Sequence, residues 1–356
     1  MRGSFQHRVC AAAHLLINSP GDETIIGAIH SAAQPGVRVS NQPTTESSPP
    51  AESTPPVVLL TGASGYVGGR LIPLLEQQPV KLRCLARSPE KLRQVVQDST
   101  DIVRGDVLDP SSLEPALEGV HTAYYLVHLM SGSQDFEKED RQAAAYFAQA
   151  ARKAGVRRII YLGGLGEDAD PDLSPHLRSR HEVGRIFRES GVETIEFRAG
   201  MVLGAGSLSF QLMKSLTDRL PVMLCPRWLT TSTQPIAIND VLAFLLAAKD
   251  LPPGESRIIE IGSPDVMSYG DLIREYARQQ GLRRSLIFVP VLTPYLSGLW
   301  LALVTPASFT VGRHLIEGLK NPTVVRDPQA MEALGVHPVG VTEAIRQAIQ
   351  ESDATP

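Results

Sequence analysis

The chain has 356 residues, 43% of them hydrophobic, and a formal net charge of −4. That is enough apolar material for one large core or two smaller ones. There is no basic excess of the kind a polyanion binder carries, so nucleic acid is not an expected partner. The three cysteines, Cys10, Cys84 and Cys225, are far apart and form no CxxC. This excludes a disulfide framework or a zinc site and suits a reducing cytoplasm.

Residues 1–56 stand apart from the rest. Ser40 to Pro56, SNQPTTESSPPAESTPP, is rich in Ser, Thr and Pro and has no aliphatic run. It buries too little apolar surface to offset its ordering entropy and reads as a disordered extension and linker. Met1 to Asn18 carries Arg2 and Arg8 and no acid, but its AAAHLLI run is short, broken by His14 and followed by no clean cleavage site. A dispensable extension is expected here rather than a targeting signal.

VVLLT, Val57 to Thr61, has the composition of a buried parallel strand. TGASGYVGGRLIPLL follows, with Gly62, Gly65 and Gly68 spaced GxxGxxG. Strand, glycine turn and helix in that order suit a pyrophosphate: the backbone can approach the phosphates, and the helix N-terminus offers unpaired N–H groups. The next strand, VKLRCLARS, ends at Arg87 and Ser88. An NAD site places an acid near here for the ribose 2′-hydroxyl. A guanidinium instead suits a 2′-phosphate, so NADP(H) is the expected cofactor, with NAD(H) as the alternative. The competing reading of Arg87 is a solvated surface charge.

The alternation continues. DIVRGDVLD, Asp101 to Asp109, reads as a third strand and HTAYYLVHLM as a fourth. Phe136 to Ala154 has helical apolar spacing, RRIIYLGGLG reads as a fifth strand, VETIEFRAGMVLG as a sixth and RIIEIG, Arg257 to Gly262, as a seventh. The fold class is α/β, a Rossmann-type doubly wound parallel sheet whose ligand lies past the strands' carboxyl ends. The expected nucleotide-binding domain covers 57–204 and 233–262. A smaller, mainly helical substrate-side region covers 205–232 and 263–350.

In that second region Arg227 and Trp228 either clamp a planar or acidic substrate or pack at the surface. Asp240 is placed to cap the helix running through Phe244 to Ala248, and Ser268 to cap the one it opens. The aliphatics here suit an apolar substrate and equally suit plain core packing. Ile287 to Val304 carries no charge and nearly reaches membrane-spanning length, but Pro290 and Pro294 interrupt its first half. No integral span is expected, while weak contact with a membrane surface stays open.

The chain resembles the atypical short-chain dehydrogenase/reductases, in particular the NmrA-like and YbjT-like NAD(P)-binding proteins. The resemblance runs from about Val57 to Val325 and rests on TGASGYVG, GDVLD, YYLVH, YLGGLG, HLRSRHEVG, ESGVETIEFRAGMVLG and QPIAINDV. It implies that Gly62, Gly65 and Gly68, with Ser64, Tyr66 and Val67 between them, form the pyrophosphate turn. It implies that Arg87 and Ser88 face the adenosine ribose, Asp106 and Val107 the adenine, and Leu126, Val127 and His128 the nicotinamide ribose. His128 also reads as a packed core histidine.

The departures are specific. Active members carry a serine at the end of the fifth strand and YxxxK on the next helix. Here glycines 163 and 164 end the strand, and His176 and Arg180 hold the helix positions, four residues apart and so on one face. His176 can act as general acid or base, and Arg180 can hold a ribose without cycling its proton. His176 also reads as an exposed helix-start residue behind Pro175. The leading expectation is an NADP(H)-dependent oxidoreductase acting on a small, apolar carbonyl or enone. The alternative is a catalytically silent NAD(P)-binding sensor or regulator. The sequence leaves the oligomeric state open and indicates no metal.

Removing residues 1–56 is expected to leave the thermal midpoint and NADPH affinity unchanged. A large loss in either would show that the segment is a structural element.

Overall fold

The structure, a computed structural model, describes residues 55–129, 135–289 and 319–354. Ser53–Pro356 forms one compact unit. The N-terminal extension, and nearly all of the uncharged stretch from Ile287 to Val304 and of the segment from Phe309 to Leu319, lie outside the described residues.

Seven parallel strands form the central sheet: β1 (Val57–Thr61), β2 (Lys81–Ala86), β3 (Asp101–Arg104), β4 (Val120–Tyr125), β5 (Arg158–Gly164), β6 (Glu193–Ala199) and β7 (Arg257–Ile261). Their order is β7-β6-β5-β4-β1-β2-β3. The chain reverses direction across the sheet between β1 and β4, and this opens a crevice at their carboxyl ends.

Both faces of the sheet are buried because alternate residues point to opposite sides. Val58, Leu60, Tyr124 and Ile160 pack against α1 (Tyr66–Leu75) and α6 (Ile238–Lys249). Leu59, Ala123, Tyr125, Ile159 and Tyr161 pack against α2 (Pro110–Leu117), α3 (Phe136–Lys153) and α4 (Pro175–Glu189). This is the doubly wound Rossmann-type arrangement expected from the sequence. The helix expected from Phe136 is present, and Ser174 caps α4 by accepting from Leu177 N, with Pro175 at the first helical position.

The sequence and the structure differ in places. The third strand ends at Arg104, because the Ser112 hydroxyl bonds both the N–H and the carbonyl of Asp106 and turns the chain. The sixth strand stops at Ala199, and Val202–Leu203 pairs instead with Ile236–Ala237. Asp240 does not cap its helix. It lies inside the first turn, where its carboxylate accepts from Val339 N. Ser268 does cap α7 (Tyr269–Gln279), in a reciprocal box with Asp271.

A further apolar cluster joins α5 (Leu208–Arg219), α7 and α8 (Val341–Ala354) around Phe210, Leu272, Tyr276 and Ile345. Trp228 packs against it, while Arg227 is exposed. No helix among the described residues is long and apolar enough to cross a membrane.

Two features fix α4 on the sheet. Phe187 meets Tyr125 and Tyr161 at ring separations of 4.8 and 5.5 Å. Beside it, β6 buries two charges, Glu196 and Arg198. Glu196 is bonded by Arg198 Nε at 2.7 Å and paired with Arg188 of α4. Gly184 makes room for that carboxylate, since a Cβ there would lie 2.3 Å from it. Phe187→Ala is expected to cost about 3–5 kcal/mol of stability through loss of packing and the cavity left behind. Denaturant unfolding checks this; a loss below about 1 kcal/mol would show that α4 is held elsewhere.

Candidate functional site

The crevice at the β1–β4 reversal is a cleft of about 330 Å³, within the usual size of small-molecule sites. Its floor is the turn after β1. Gly62 has φ +71, and a Cβ there would lie 2.5 Å from the Leu126 carbonyl oxygen. A Cβ at Gly68 would lie 2.2 Å from the Gly62 carbonyl oxygen. Only glycines let β1, α1 and the end of β4 converge this tightly. Gly65 caps α1 with no side-chain hydrogen bond, so no side chain competes for the first-turn N–H groups.

Of the residues expected at the cofactor, Gly62, Ser64, Gly65, Arg87, Asp106, Val107, Leu126, Val127 and His128 line this cleft. Tyr66, Val67, Gly68 and Ser88 do not. Gly68 acts through packing, and Tyr66 turns toward Gly204 and Gly206 and lies under the Arg70 guanidinium. Burial pushes its hydroxyl up to about 12. Thr61, Leu85, Ala86, Gly105, Leu108, Leu129 and Glu139 also line the cleft and were not singled out from the sequence. Most of them sit beside expected residues at strand ends, which was the available signal. Arg87 is exposed on the rim. Asp106 spends one carboxylate oxygen on Leu108 N, at 3.0 Å.

His128 lines the cleft and meets His176, which does not line it. His128 Nε2 lies 3.1 Å from His176 Nδ1, and the two rings are 4.9 Å apart. Both are half-buried. His128 Nδ1 donates to Asp140 Oδ2 at 2.9 Å. Asp140 is nearly inaccessible and also accepts from Ser179 Oγ and Leu129 N. Burial alone would raise its pKa; the His128 hydrogen bond and charge, then Arg180, outweigh this and hold it below the usual carboxylate range. Burial lowers the His128 pKa, helped by the Arg180 charge and opposed by Asp140. Asp140 was missed from the sequence. Its signal was there: Phe136, Asp140, Ala143 and Phe147 form one buried stripe, and an acid stands on it.

Arg180 is buried rather than lining the cleft. Its guanidinium donates to the carbonyls of Val127, at 3.1 Å, and Leu162, and lies over the Tyr161 ring. At Gly164 a Cβ would meet only the tip of the Leu177 side chain, Cδ2 at 2.6 Å. His181 adds a tie from α4, its Nε2 donating to the Gly164 carbonyl at 3.0 Å. Tyr125 is fully buried in the aromatic cluster, and burial raises its pKa, so it is no proton donor to the cleft. Among the described residues no group of His, Cys, Asp and Glu could hold a metal ion.

Residues 62–203 match the family model described as NAD(P)H-binding. That segment is an NAD(P)H-binding domain, and the solved structures the chain is similar to share its Rossmann-type fold. A ceramide reductase of Caulobacter vibrioides is 26% identical over 267 residues, 72% of this chain and 82% of the relative. A 4-hydroxy-2-methyl-3-oxo-4-farnesyl-3,4-dihydroquinoline-1-oxide ketoreductase of Stigmatella aurantiaca is 25% identical over 324 residues, 81% of this chain and 95% of the relative. The triphenylmethane reductase of Citrobacter sp., solved with NADP(H), shares the fold at a TM-score of 0.66 and 18% identity, over 82% of this chain and 99% of that one.

The cleft fits an NAD(P)H molecule on its own terms: a glycine cradle that a Cβ would fill, an uncapped helix N-terminus for the pyrophosphate, and a guanidinium at the rim. Arg87 makes a further expectation concrete. NADPH binds more tightly than NADH, and Arg87→Asp reverses the order. Fluorescence titration of both cofactors decides it; equal affinities in the unaltered protein would remove Arg87 from the site.

Proposed function

We propose that the protein is an NADPH-dependent reductase of a small, apolar ketone or enone, with His176 as the proton donor and Arg180 as the residue that holds the site in shape. The observation that carries this is the hydrogen bond from His176 to His128, a residue that lines the cofactor cleft, since a reductase needs an acid near the cofactor. When bound, NADPH supplies a hydride to the substrate carbon. The chain's part is to hold the cofactor on the glycine turn, orient it along the ends of β1 and β4, and deliver a proton to the oxygen that gains charge. Arg180 contributes by tying the carbonyls that end β4 and β5 to α4, so that His128 and His176 stay within hydrogen-bond reach.

The apolar character of the substrate is supported by the two relatives named for ceramide and for a farnesyl-bearing compound. We assign substrate contacts to 205–232 and 263–350, and the nucleotide to 57–204 and 233–262. The widely spaced cysteines, of which Cys84 and Cys225 are free and buried, support a reducing compartment, the cytoplasm. A silent sensor is not favoured: the position that lost its tyrosine holds a titratable ring already hydrogen-bonded to a second one.

His176→Ala should lower the chemical step, read by single-turnover NADPH oxidation with a long-chain ketone, by about 100-fold or more. NADPH affinity should stay nearly unchanged. Full turnover in that variant would move the proton donor elsewhere. Tight NADPH binding without reduction of any ketone or enone would favour the sensor.

A further inference from the structure

We infer that the protein docks on the surface of a lipid bilayer carrying anionic headgroups, through the two-stranded ribbon formed by Val222–Cys225 and Ser285–Phe288. None of the ribbon's residues lines the cofactor cleft, and the inference does not depend on the proposed reaction. Four of the seven exposed large apolar side chains among the described residues stand on it: Val222, Leu224, Ile287 and Phe288. Such side chains scattered singly over a surface need no explanation, but a contiguous group of them marks an interaction site.

Strand geometry makes this group contiguous. The two strands pair in parallel, with Ser285 beside Val222 and Ile287 beside Leu224. Successive side chains of a strand point to opposite faces. Met223, Cys225 and Leu286 turn inward, onto the cluster around Phe210 and Tyr276. Val222, Leu224 and Ile287 turn outward, and each is about half exposed. Phe288 stands at the margin, with the Arg274 guanidinium over its ring at 5.9 Å. A two-stranded ribbon also has backbone N–H and C=O groups along its outer edges, which hydrocarbon does not satisfy. Its place is therefore the boundary between headgroups and acyl chains, and no deeper.

Charge selects the partner. The chain carries a net charge of −4, yet it has no acidic residue from Arg219 to Asn239 or from Tyr276 to Ile316. Because the strands are parallel, Arg219 and Arg283 fall near one end of the ribbon and Arg227 falls near the other; all three are exposed. Asp218, the acid nearest in sequence to the first end, is engaged by Lys214 at 3.1 Å and by the Tyr276 hydroxyl at 3.0 Å. Arg284 is spent on the carbonyls of Thr217 and Asp218, which ties the end of α5 to the ribbon. An apolar strip with cations at both ends matches acyl chains lying under anionic headgroups. A second copy packed ribbon to ribbon would set arginine against arginine.

The test is co-sedimentation of the full-length protein with vesicles of phosphatidylcholine containing phosphatidylserine, and with vesicles of phosphatidylcholine alone. The protein should pellet with the first and much less with the second, and added salt should release it. Leu224→Asp combined with Ile287→Asp should weaken binding by about tenfold or more. Arg227→Gln and Arg283→Gln should each weaken it by about fivefold, and only toward phosphatidylserine. Leu224→Trp should strengthen it, because an indole favours this boundary. NADPH affinity should not change in any of these variants. A polarity-sensitive fluorophore on Leu224→Cys, in a Cys10→Ser background where Cys84 and Cys225 are buried, should shift to the blue only when vesicles are added. No pelleting, equal pelleting with both kinds of vesicle, or pelleting that none of these substitutions alters overturns the inference. So does a fluorophore already shifted without vesicles, since the ribbon would then be covered in solution by the chain itself or by a second copy.

Discussion

The cleft depends on backbone meeting backbone at Gly62. Its left-handed conformation sends the chain from β1 into α1, and its missing side chain lets the turn lie against the Leu126 carbonyl at the end of β4. Gly68 closes the same contact from the helix side. A methyl group at either position would separate β1 from β4 or lift α1 off the turn. Either change would open the floor of the cleft and shift the end of β4, where His128 stands. The glycine turn and the end of the cleft at His128 are thus one mechanical unit.

The departures from the usual serine, tyrosine and lysine are also linked. With glycine at 164, Leu177 comes close to the strand end, and Arg180 follows it inward to the carbonyls of β4 and β5. A lysine has three donors on a flexible stem and no planar face to lay on Tyr161; a guanidinium has both the fork and the face. Once Arg180 is buried there, His176 faces the end of β4, where His128, backed by the buried Asp140, meets it. The loss of one set of groups and the gain of another are readable as a single repacking of α4 on the sheet, locked by Phe187 and by the Arg188–Glu196–Arg198 charges.

Much of this was legible in the sequence. Short apolar runs bounded by glycine announced the strands. GxxGxxG after VVLLT announced the turn, Arg87 stood at the end of the second strand, and the resemblance to the dehydrogenase/reductases pointed to His176. What was not legible depended on partners distant in sequence. Asp140 looks like one more acid in FEKEDRQ until α3 is laid on the sheet and its buried stripe includes it. Glu196 and Arg198 look like the polar face of a strand, yet both are inaccessible: Glu196 pairs with Arg198 and Arg188, and Asp168 supplies Arg198 with a second negative charge. Arg180 looks like a ribose ligand, but its guanidinium is taken by the carbonyls of Val127, just past β4, and of Leu162 in β5. Asp240 looks like a cap, but the helix begins two residues before it and its carboxylate is drawn to Val339 N.

The most direct test of the account is a crystal structure of the NADPH complex. The account predicts the pyrophosphate against the backbone between Gly62 and Gly68, the 2′-phosphate at Arg87, and the nicotinamide end of the cofactor beside His128 and His176. A nicotinamide ring directed away from the histidine pair, or a cofactor bound outside the β1–β4 cleft, would contradict it.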